Sequence, residues 1–181
     1  MSTGDDSTAA RQLRLLQNEY VQPGRQGAPT PRPRQADSSP PCRLGIVELI
    51  QASFREVRDT VRADVPDAAP PPDRADGVYA WAIDQTAHLK PERQLAHAAM
   101  VYRQSLEHAI AMRDFAVIRQ HPCPACGTWG LFWEPASRQV VCVNHYCTDD
   151  QGKSRSWPLR YLAHRHVAAE AARKNRNVSA T

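Results

Sequence analysis

The hydrophobic pattern between Leu44 and Ala63 is that of an amphipathic helix. Its large apolar residues recur at spacings of three or four, which places them on a single helical face: Ile46, Ile50, Phe54, Val57 and Val61. Charged side chains occupy most of the opposite face. We therefore predict a helix that buries this apolar face and ends before Pro66 and the proline run at 70–72.

Two further helices are predicted before the chain changes character. The second covers Val78 to about His88, and the third begins at Pro91, which suits the first turn of a helix, and runs to about Arg119. The stripe of the third helix consists of Leu95, Ala99, Tyr102, Leu106, Ala109 and Ala116, and it is broken by Arg113. Residues 42–120 are thus predicted to form a small antiparallel helical bundle. The alternative is that the third helix is a dimerising coiled-coil arm, but its short, alanine-rich stripe favours packing within the chain.

The two ends of the chain have too few apolar residues to build a core. Residues 1–41 contain one short apolar stretch, from Ala9 to Tyr20, that is compatible with a helix. The rest of that segment is rich in Pro, Gly, Ser and Gln. We predict a disordered leader over 1–41 and a disordered tail over 177–181.

Beyond residue 120 the apolar runs shorten to the length of strands. Trp129 to Glu134 is rich in aromatic residues, Gln139 to Val143 is rich in β-branched residues, and Pro135 to Arg138 reads as a turn between them. A last helix is predicted from about Pro158, capped by Ser154 or Ser156, with an apolar edge that docks on the hairpin. The predicted fold class is therefore mainly α with a small β-hairpin, followed by a C-terminal helix.

Four of the five cysteines bracket this hairpin in two close pairs. Cys123 and Cys126 are separated by two residues, Cys142 and Cys147 by four, and fifteen residues lie between the pairs. Two thiol pairs on a short hairpin supply the ligands of a tetrahedral metal, so we predict a structural zinc site (Zn2+) with these four ligands. His145 is an alternative to Cys147, because it stands two intervening residues after Cys142.

Residues 123–147 resemble a zinc ribbon, a β-hairpin held by two cysteine knuckles. The first knuckle, Cys-Pro-Ala-Cys-Gly, fits that pattern closely, whereas the second has four residues between its cysteines in place of the usual two. Zinc ribbons are common in DNA- and RNA-binding proteins, transposases, polymerase subunits and phage regulators. The resemblance therefore implies bound zinc and a nucleic-acid partner, for a unit that we place at 121–176 together with the C-terminal helix.

Three other interpretations of the cysteines are weaker. A thioredoxin-like redox dithiol requires a surrounding βαβ pattern, which the sequence lacks. Iron in a rubredoxin-like site is chemically possible, because iron accepts the same four thiolates. A catalytic zinc ordinarily keeps three protein ligands and a water molecule, whereas four thiolates close the site.

We also expect the aromatic residues Trp129, Phe132 and Trp133 to pack on neighbouring helices more readily than to stay exposed.

Positive charge is concentrated after the cysteines. The chain carries a net charge of +4, and residues 151–181 contain seven basic side chains and one acidic one. We predict that Lys153, Arg155, Arg160 and Arg165 contact nucleic-acid phosphates, with DNA a better match than RNA. The chain has 20 arginines but only three lysines, a bias typical of GC-rich genomes such as those of actinobacteria and their phages. In this respect it resembles small zinc-ribbon proteins of actinobacteria, phages or other mobile elements.

The sequence contains no motif that predicts catalysis, secretion or membrane insertion. A P-loop, a dinucleotide fingerprint, a nucleophile–base pair, a signal peptide and a run of about 18 apolar residues are all missing. We therefore predict a cytoplasmic, non-enzymatic zinc-ribbon protein that binds DNA and has a regulatory role. The alternative is a protein–protein adaptor or structural component that uses the helical region as its interface, and a third hypothesis is a metal- or redox-sensing switch.

Overall fold

A computed structural model describes residues 10–11, 13–16, 42–74 and 77–179 of the chain. Its elements follow in the order α1 (Cys42–Asp64), α2 (Val78–Thr86), α3 (Pro91–Ala111), α4 (Ala116–Arg119), β1 (Leu131–Glu134), β2 (Gln139–Cys142), β3 (Ser156–Trp157) and α5 (Leu159–Ser179). The described residues 10–11 and 13–16 are also helical. The predicted class, mainly α with a small β-hairpin and a C-terminal helix, is confirmed, and the sheet has three strands.

Helices α1, α2 and α3 pack against one another and form what we call the helical bundle. The predicted apolar face of α1 lies in its core, where Val57 and Val61 are fully buried beside Val78 and Tyr79 of α2 and Val101 of α3. The period of three and four residues therefore identified the buried face of α1 correctly, because each large apolar residue on that face contributes to one continuous cluster.

Part of the predicted leader packs into this core. Leu13 and Leu16 are 1% and 0% exposed and belong to the same apolar cluster as α1 and α2. Their spacing of three residues places both on one side of the short helix. The remainder of the leader lies outside the described residues, so its disorder stays a prediction.

Hydrogen-bonded polar side chains cross the helical bundle. The Tyr79 hydroxyl donates to Gln104 Oε1 (2.9 Å), and Gln104 Nε2 donates to Glu56 Oε2 (2.9 Å) and to the Ser53 carbonyl (3.3 Å). One helical turn further along α3, His108 Nε2 lies 2.9 Å from the Ser53 hydroxyl. These contacts link α1, α2 and α3 at defined positions, because a shift of any helix leaves buried polar groups without partners.

The predicted third helix is too long, since α3 ends at Ala111 instead of continuing to about Arg119. Arg113 adopts φ 62°, its amide donates to the Ile110 carbonyl (2.9 Å), and the Asp114 amide donates to the Ala109 carbonyl (2.9 Å). This pair of bonds around a left-handed residue is a Schellman motif, which terminates a helix. The chain then turns through α4 and buries Ile118 beneath α3, which leads directly to the cysteines.

The predicted hairpin is present, and the sheet has one strand more than predicted. Strands β1 and β2 are antiparallel, from the pair Leu131 and Cys142 to the pair Glu134 and Gln139, with the predicted turn between them. Ser156 and Trp157 form β3 on the outer side of β2, in a segment predicted to be a loop and a helix cap. Ser156 therefore does not cap α5, because its hydroxyl bonds to the Gln139 side chain.

Helix α5 packs mainly along α3, whereas the sequence predicted that it docks on the hairpin. Leu159 and Leu162 do share an apolar cluster with Leu131 and Val140 of the sheet, so α5 also covers one face of the hairpin. The helix continues to Ser179, past the predicted boundary at 176. Helix α3 is thus central, with Val101 in the core of the bundle and Leu106 in the cluster around the cysteines.

Among the described residues, no helix combines the length and the apolar character that crossing a membrane requires.

Candidate metal centre

The first knuckle is a tight turn closed by backbone hydrogen bonds. The Cys123 amide donates to the Thr128 carbonyl (3.0 Å), and the Gly127 amide donates to the Cys123 carbonyl (2.9 Å). Gly127 has φ 72°, a left-handed conformation that glycine adopts without steric cost. The amides of Ala125 and Cys126 lie 3.4 and 3.5 Å from Cys123 Sγ, so the turn directs two N–H dipoles at a sulfur atom. Such hydrogen bonds stabilise a thiolate and fix its orientation.

The second knuckle uses its two extra residues to make a further turn. Cys142 lies at the end of β2, and the Cys147 amide donates to the Asn144 carbonyl (2.8 Å). The Asn144 side chain accepts from the Tyr146 amide (3.1 Å) and donates to Cys126 Sγ (3.7 Å). Asn144 therefore connects the two knuckles, a role that the sequence analysis missed because cysteine spacing says nothing about non-ligand side chains.

The structure brings together the four sulfur atoms that the spacing singled out. All four Sγ atoms lie within 4.8 Å of one another, with Cys123 to Cys147 at 3.7 Å and Cys126 to Cys142 at 3.8 Å. A tetrahedral site with metal–sulfur bonds of about 2.3 Å has sulfur–sulfur distances of about 3.8 Å. The cluster therefore has the dimensions of a four-thiolate metal site.

His145, the alternative ligand, is not part of this cluster. Its ring packs on the neighbouring Tyr146 with centroids 3.9 Å apart, and its side chain is exposed. Cys147 is buried with its sulfur beside that of Cys123. The all-cysteine set is thus the one that the fold assembles.

The thiols differ in burial and therefore in acidity. Burial raises the pKa of Cys147 to about 12 and also raises the pKa of Cys142. At the more exposed Cys126, hydrogen bonds with the side chain and backbone of Thr128 lower the thiol pKa to about 6. Buried thiolates are costly unless a cation offsets their charge, so this donor set suits a divalent metal that ionises all four thiols on binding.

Side chains outside the ligand set hold the knuckles in place. Arg165 Nη1 on α5 donates to the Pro124 carbonyl in the first knuckle (2.9 Å). The Arg155 amide donates to the Cys147 carbonyl (3.0 Å), and its Nε donates to the Thr148 carbonyl (2.8 Å). Two of the four residues predicted to contact phosphate therefore also brace the metal centre, one at each knuckle.

A second support is an aromatic cluster that connects α3, the first knuckle and α5. His121 Nε2 lies 3.0 Å from the Tyr102 hydroxyl, and the His166 ring stacks on Tyr102 with centroids 4.2 Å apart. His121 is buried, and this burial, followed by the nearby His166, lowers its pKa to about 4. The ring therefore stays neutral at pH 7 and serves as a packed, hydrogen-bonded support for the turn that leads to Cys123.

All four residues predicted to contact phosphate are solvent-exposed: Lys153, Arg155, Arg160 and Arg165. Arg155 lines an open depression together with Asp149, Asp150, Ser156 and Trp157. The Asp149 carboxylate is engaged within its own loop, because Oδ1 accepts from the amides of Gln151 (2.9 Å) and Lys153 (3.0 Å). The surface next to the second knuckle is therefore mixed in charge, and it becomes more basic along α5.

The expectation that the hairpin aromatics pack is wrong for Trp129. Trp133 is half-buried against the cluster that contains the cysteines, Phe132 is 40% exposed, and Trp129 is 68% exposed. Tyr146, in the second knuckle, is 83% exposed. Two large aromatic rings on the knuckles thus face solvent.

The surroundings of the cysteines differ from those of a thioredoxin-like dithiol. Strands β1 and β2 are antiparallel neighbours joined by a short turn, and β3 adds to the same antiparallel sheet, so Cys123 and Cys126 do not follow a strand of a βαβ unit.

Comparisons of the chain with protein families, with curated proteins and with solved structures yielded no match.

Proposed function

We propose that the four cysteines hold Zn2+ in a structural, non-catalytic role, and that the unit it stabilises binds nucleic acid, DNA in particular. Zinc is the choice for a closed, tetrahedral four-thiolate site, and the sulfur–sulfur distances of 3.7 and 3.8 Å match that geometry. Four protein ligands leave no coordination position for a substrate, so the metal acts through the shape that it imposes on the two knuckles.

The observation that carries the DNA-binding proposal is the placement of the basic side chains. Arg155 and Arg165 each bind a backbone carbonyl of one knuckle and keep further guanidinium N–H groups for a ligand. Arg160 and Lys153 are exposed in the adjoining segments. Arginines restrained in this way lose little freedom when a phosphate binds, which favours charge-assisted contacts.

The test is a salt titration of DNA binding by the zinc-loaded protein. Affinity measured by fluorescence anisotropy falls as salt rises, with a slope of about 0.9 per phosphate contact on duplex DNA or about 0.7 on a single strand. Arg160→Ala reduces the magnitude of that slope by the amount that corresponds to about one phosphate contact. The matched control is Arg62→Ala in α1, an exposed arginine of the helical bundle, which leaves the slope unchanged.

A substitution of opposite sign sharpens the test. Asp150 is exposed beside Arg155, so Asp150→Asn removes a negative charge from the proposed contact surface and strengthens binding at low salt. Absence of binding at low salt, or an affinity that ignores salt, contradicts the proposal and favours the protein–protein adaptor as the function.

A further inference from the structure

Two aromatic rings on the knuckles, Trp129 and Tyr146, are not part of the apolar core. Trp133 and Trp157 contribute to the apolar cluster around the cysteines, whereas Trp129 is 68% and Tyr146 is 83% exposed. Tyr146 is the most exposed of the large apolar residues that the structure describes, and Trp129 is the second. Exposed rings of this size contribute little to the stability of the core, and exposed apolar surface commonly marks a binding site.

Both rings stand on loops that are held rigidly. Trp129 pairs with Pro122 across the base of the first knuckle, one residue after the carbonyl that accepts the Cys123 amide. The Tyr146 amide is bonded to Asn144, and Tyr146 directly precedes Cys147. The sulfur atoms of both knuckles lie within 4.8 Å of one another, so the two loops that carry the rings lie at the same end of the hairpin.

A positively charged side chain contacts each of the two loops that carry the exposed rings. Arg165 contacts the first knuckle at Pro124, five residues before Trp129. Arg155 contacts the second knuckle at Thr148, two residues after Tyr146. Each exposed ring is therefore accompanied by an arginine that contacts the same knuckle, which is the combination that binds bases and phosphates of an unpaired strand.

We propose that this end of the molecule binds single-stranded nucleic acid, with bases stacked on Trp129 and Tyr146 and phosphates held by Arg155 and Arg165. The inference rests on the proposed function and specifies its substrate. Ring stacking requires an open base face, which a duplex provides only at its ends. The metal centre fixes the spacing of the two platforms, because it fixes both loops.

The experiment uses the full, zinc-loaded chain and three labelled probes: oligothymidylate and oligouridylate of about 15 nucleotides, and a duplex of the same length. Binding is followed by anisotropy and by quenching of tryptophan fluorescence. Trp81, Trp133 and Trp157 are half-buried, so quenching by a stacked base reports chiefly on Trp129. The expected result is tighter binding of a single strand than of the duplex, and the preferred single strand distinguishes DNA from RNA.

Trp129→Ala and Tyr146→Ala each weaken single-strand binding by about tenfold to a hundredfold. Tyr161→Ala is the matched control, since Tyr161 is an exposed tyrosine on α5 and its loss leaves affinity unchanged. Metal content confirms that each variant retains its fold at the knuckles. Salt-dependent binding that favours the duplex and is indifferent to Trp129 and Tyr146 overturns this inference and leaves the proposed function intact. Failure of all three probes to bind at low salt overturns both.

Discussion

The helical bundle and the metal centre are stabilised by different means, although both rest on α3. The bundle buries apolar side chains from three helices and the leader, and it pairs the polar groups between them. The unit from His121 to Trp157 has strands of four, four and two residues, with three of its cysteines among its buried apolar positions. A hairpin of that size cannot bury enough surface to fold alone, so a metal held by the four cysteines would replace part of a core.

This difference sets where each region is vulnerable. The core of the bundle consists of many contacts. Truncating one buried side chain lowers the free energy of unfolding by a few kcal/mol. Under the proposed function, zinc would concentrate on the order of 10 kcal/mol of folding free energy in four bonds at the metal centre, as structural zinc does in comparable small units. The following predictions test this comparison, from the largest expected effect to the smallest.

Loss of a metal ligand is expected to unfold the metal centre and spare the bundle. Cys142→Ser removes a buried thiol at the end of β2, and about 10 kcal/mol of metal binding is weakened or lost with it. Metal content falls, and amide hydrogen exchange in residues 121–157 accelerates, while exchange in the buried part of α1 stays slow. A chelator applied to the wild type reproduces this pattern.

Cys42→Ser is the matched control for this prediction, because Cys42 is the cysteine whose position in the sequence excludes it from the two pairs. Its metal content and exchange pattern match those of the wild type. Equal acceleration in α1 and in the metal centre after Cys142→Ser means that the two regions form one cooperative unit.

Mild acid is expected to weaken the bundle through His108. Burial, followed by the positive charge of Arg103, lowers the pKa of this histidine from 6.5 to about 4. The unfolded chain therefore binds the proton first, and stability that is complete above pH 6.5 decreases as the pH falls toward 4, by about 3 kcal/mol for one histidine. The groups facing it are Ser53 and Arg103, and Arg103 is itself paired with Glu56 and Glu107.

His108→Gln removes this titration, so its unfolding free energy is lower at pH 7 but changes less between pH 6.5 and 4. Hydrogen exchange of α1 and α3, followed at several pH values, isolates the bundle from metal release at the thiols. The same pH dependence in the variant and the wild type assigns the acid sensitivity to another group.

Arg113→Gly is expected to stabilise the end of α3. Arg113 occupies the left-handed position of the Schellman motif at φ 62°, which costs a residue with a Cβ about 1 kcal/mol relative to glycine. The melting temperature of the variant rises by a few degrees. Arg119→Gly, at a helical position in α4, is the control and does not produce this gain. A lower melting temperature for Arg113→Gly indicates that the arginine side chain contributes more than its backbone costs.

Local spacing in the sequence was sufficient for several features of this protein. The period of α1 identified its buried face, and the spacing of the cysteines identified the four thiols that come together. The turn residues between β1 and β2 placed the hairpin. These features depend on residues close in the chain, whose side-chain geometry is set by the element that they form.

Other features depend on contacts between distant segments, and only the tertiary structure decided them. Leu13 and Leu16 are buried because α1 and α2 provide an apolar surface for them, and the two residues of β3 form a strand because β2 offers a free edge. Helix α3 ends at the Schellman motif around Arg113 and the chain then turns back to bury Ile118, although the predicted stripe extends to Ala116. The exposure of Trp129 follows in the same way, since the apolar cluster beside the cysteines is filled by Trp133 and by side chains of α3 and α5. Whether a side chain is buried depends on which surfaces pack together in three dimensions, and the hydrophobic pattern along the chain does not specify that packing.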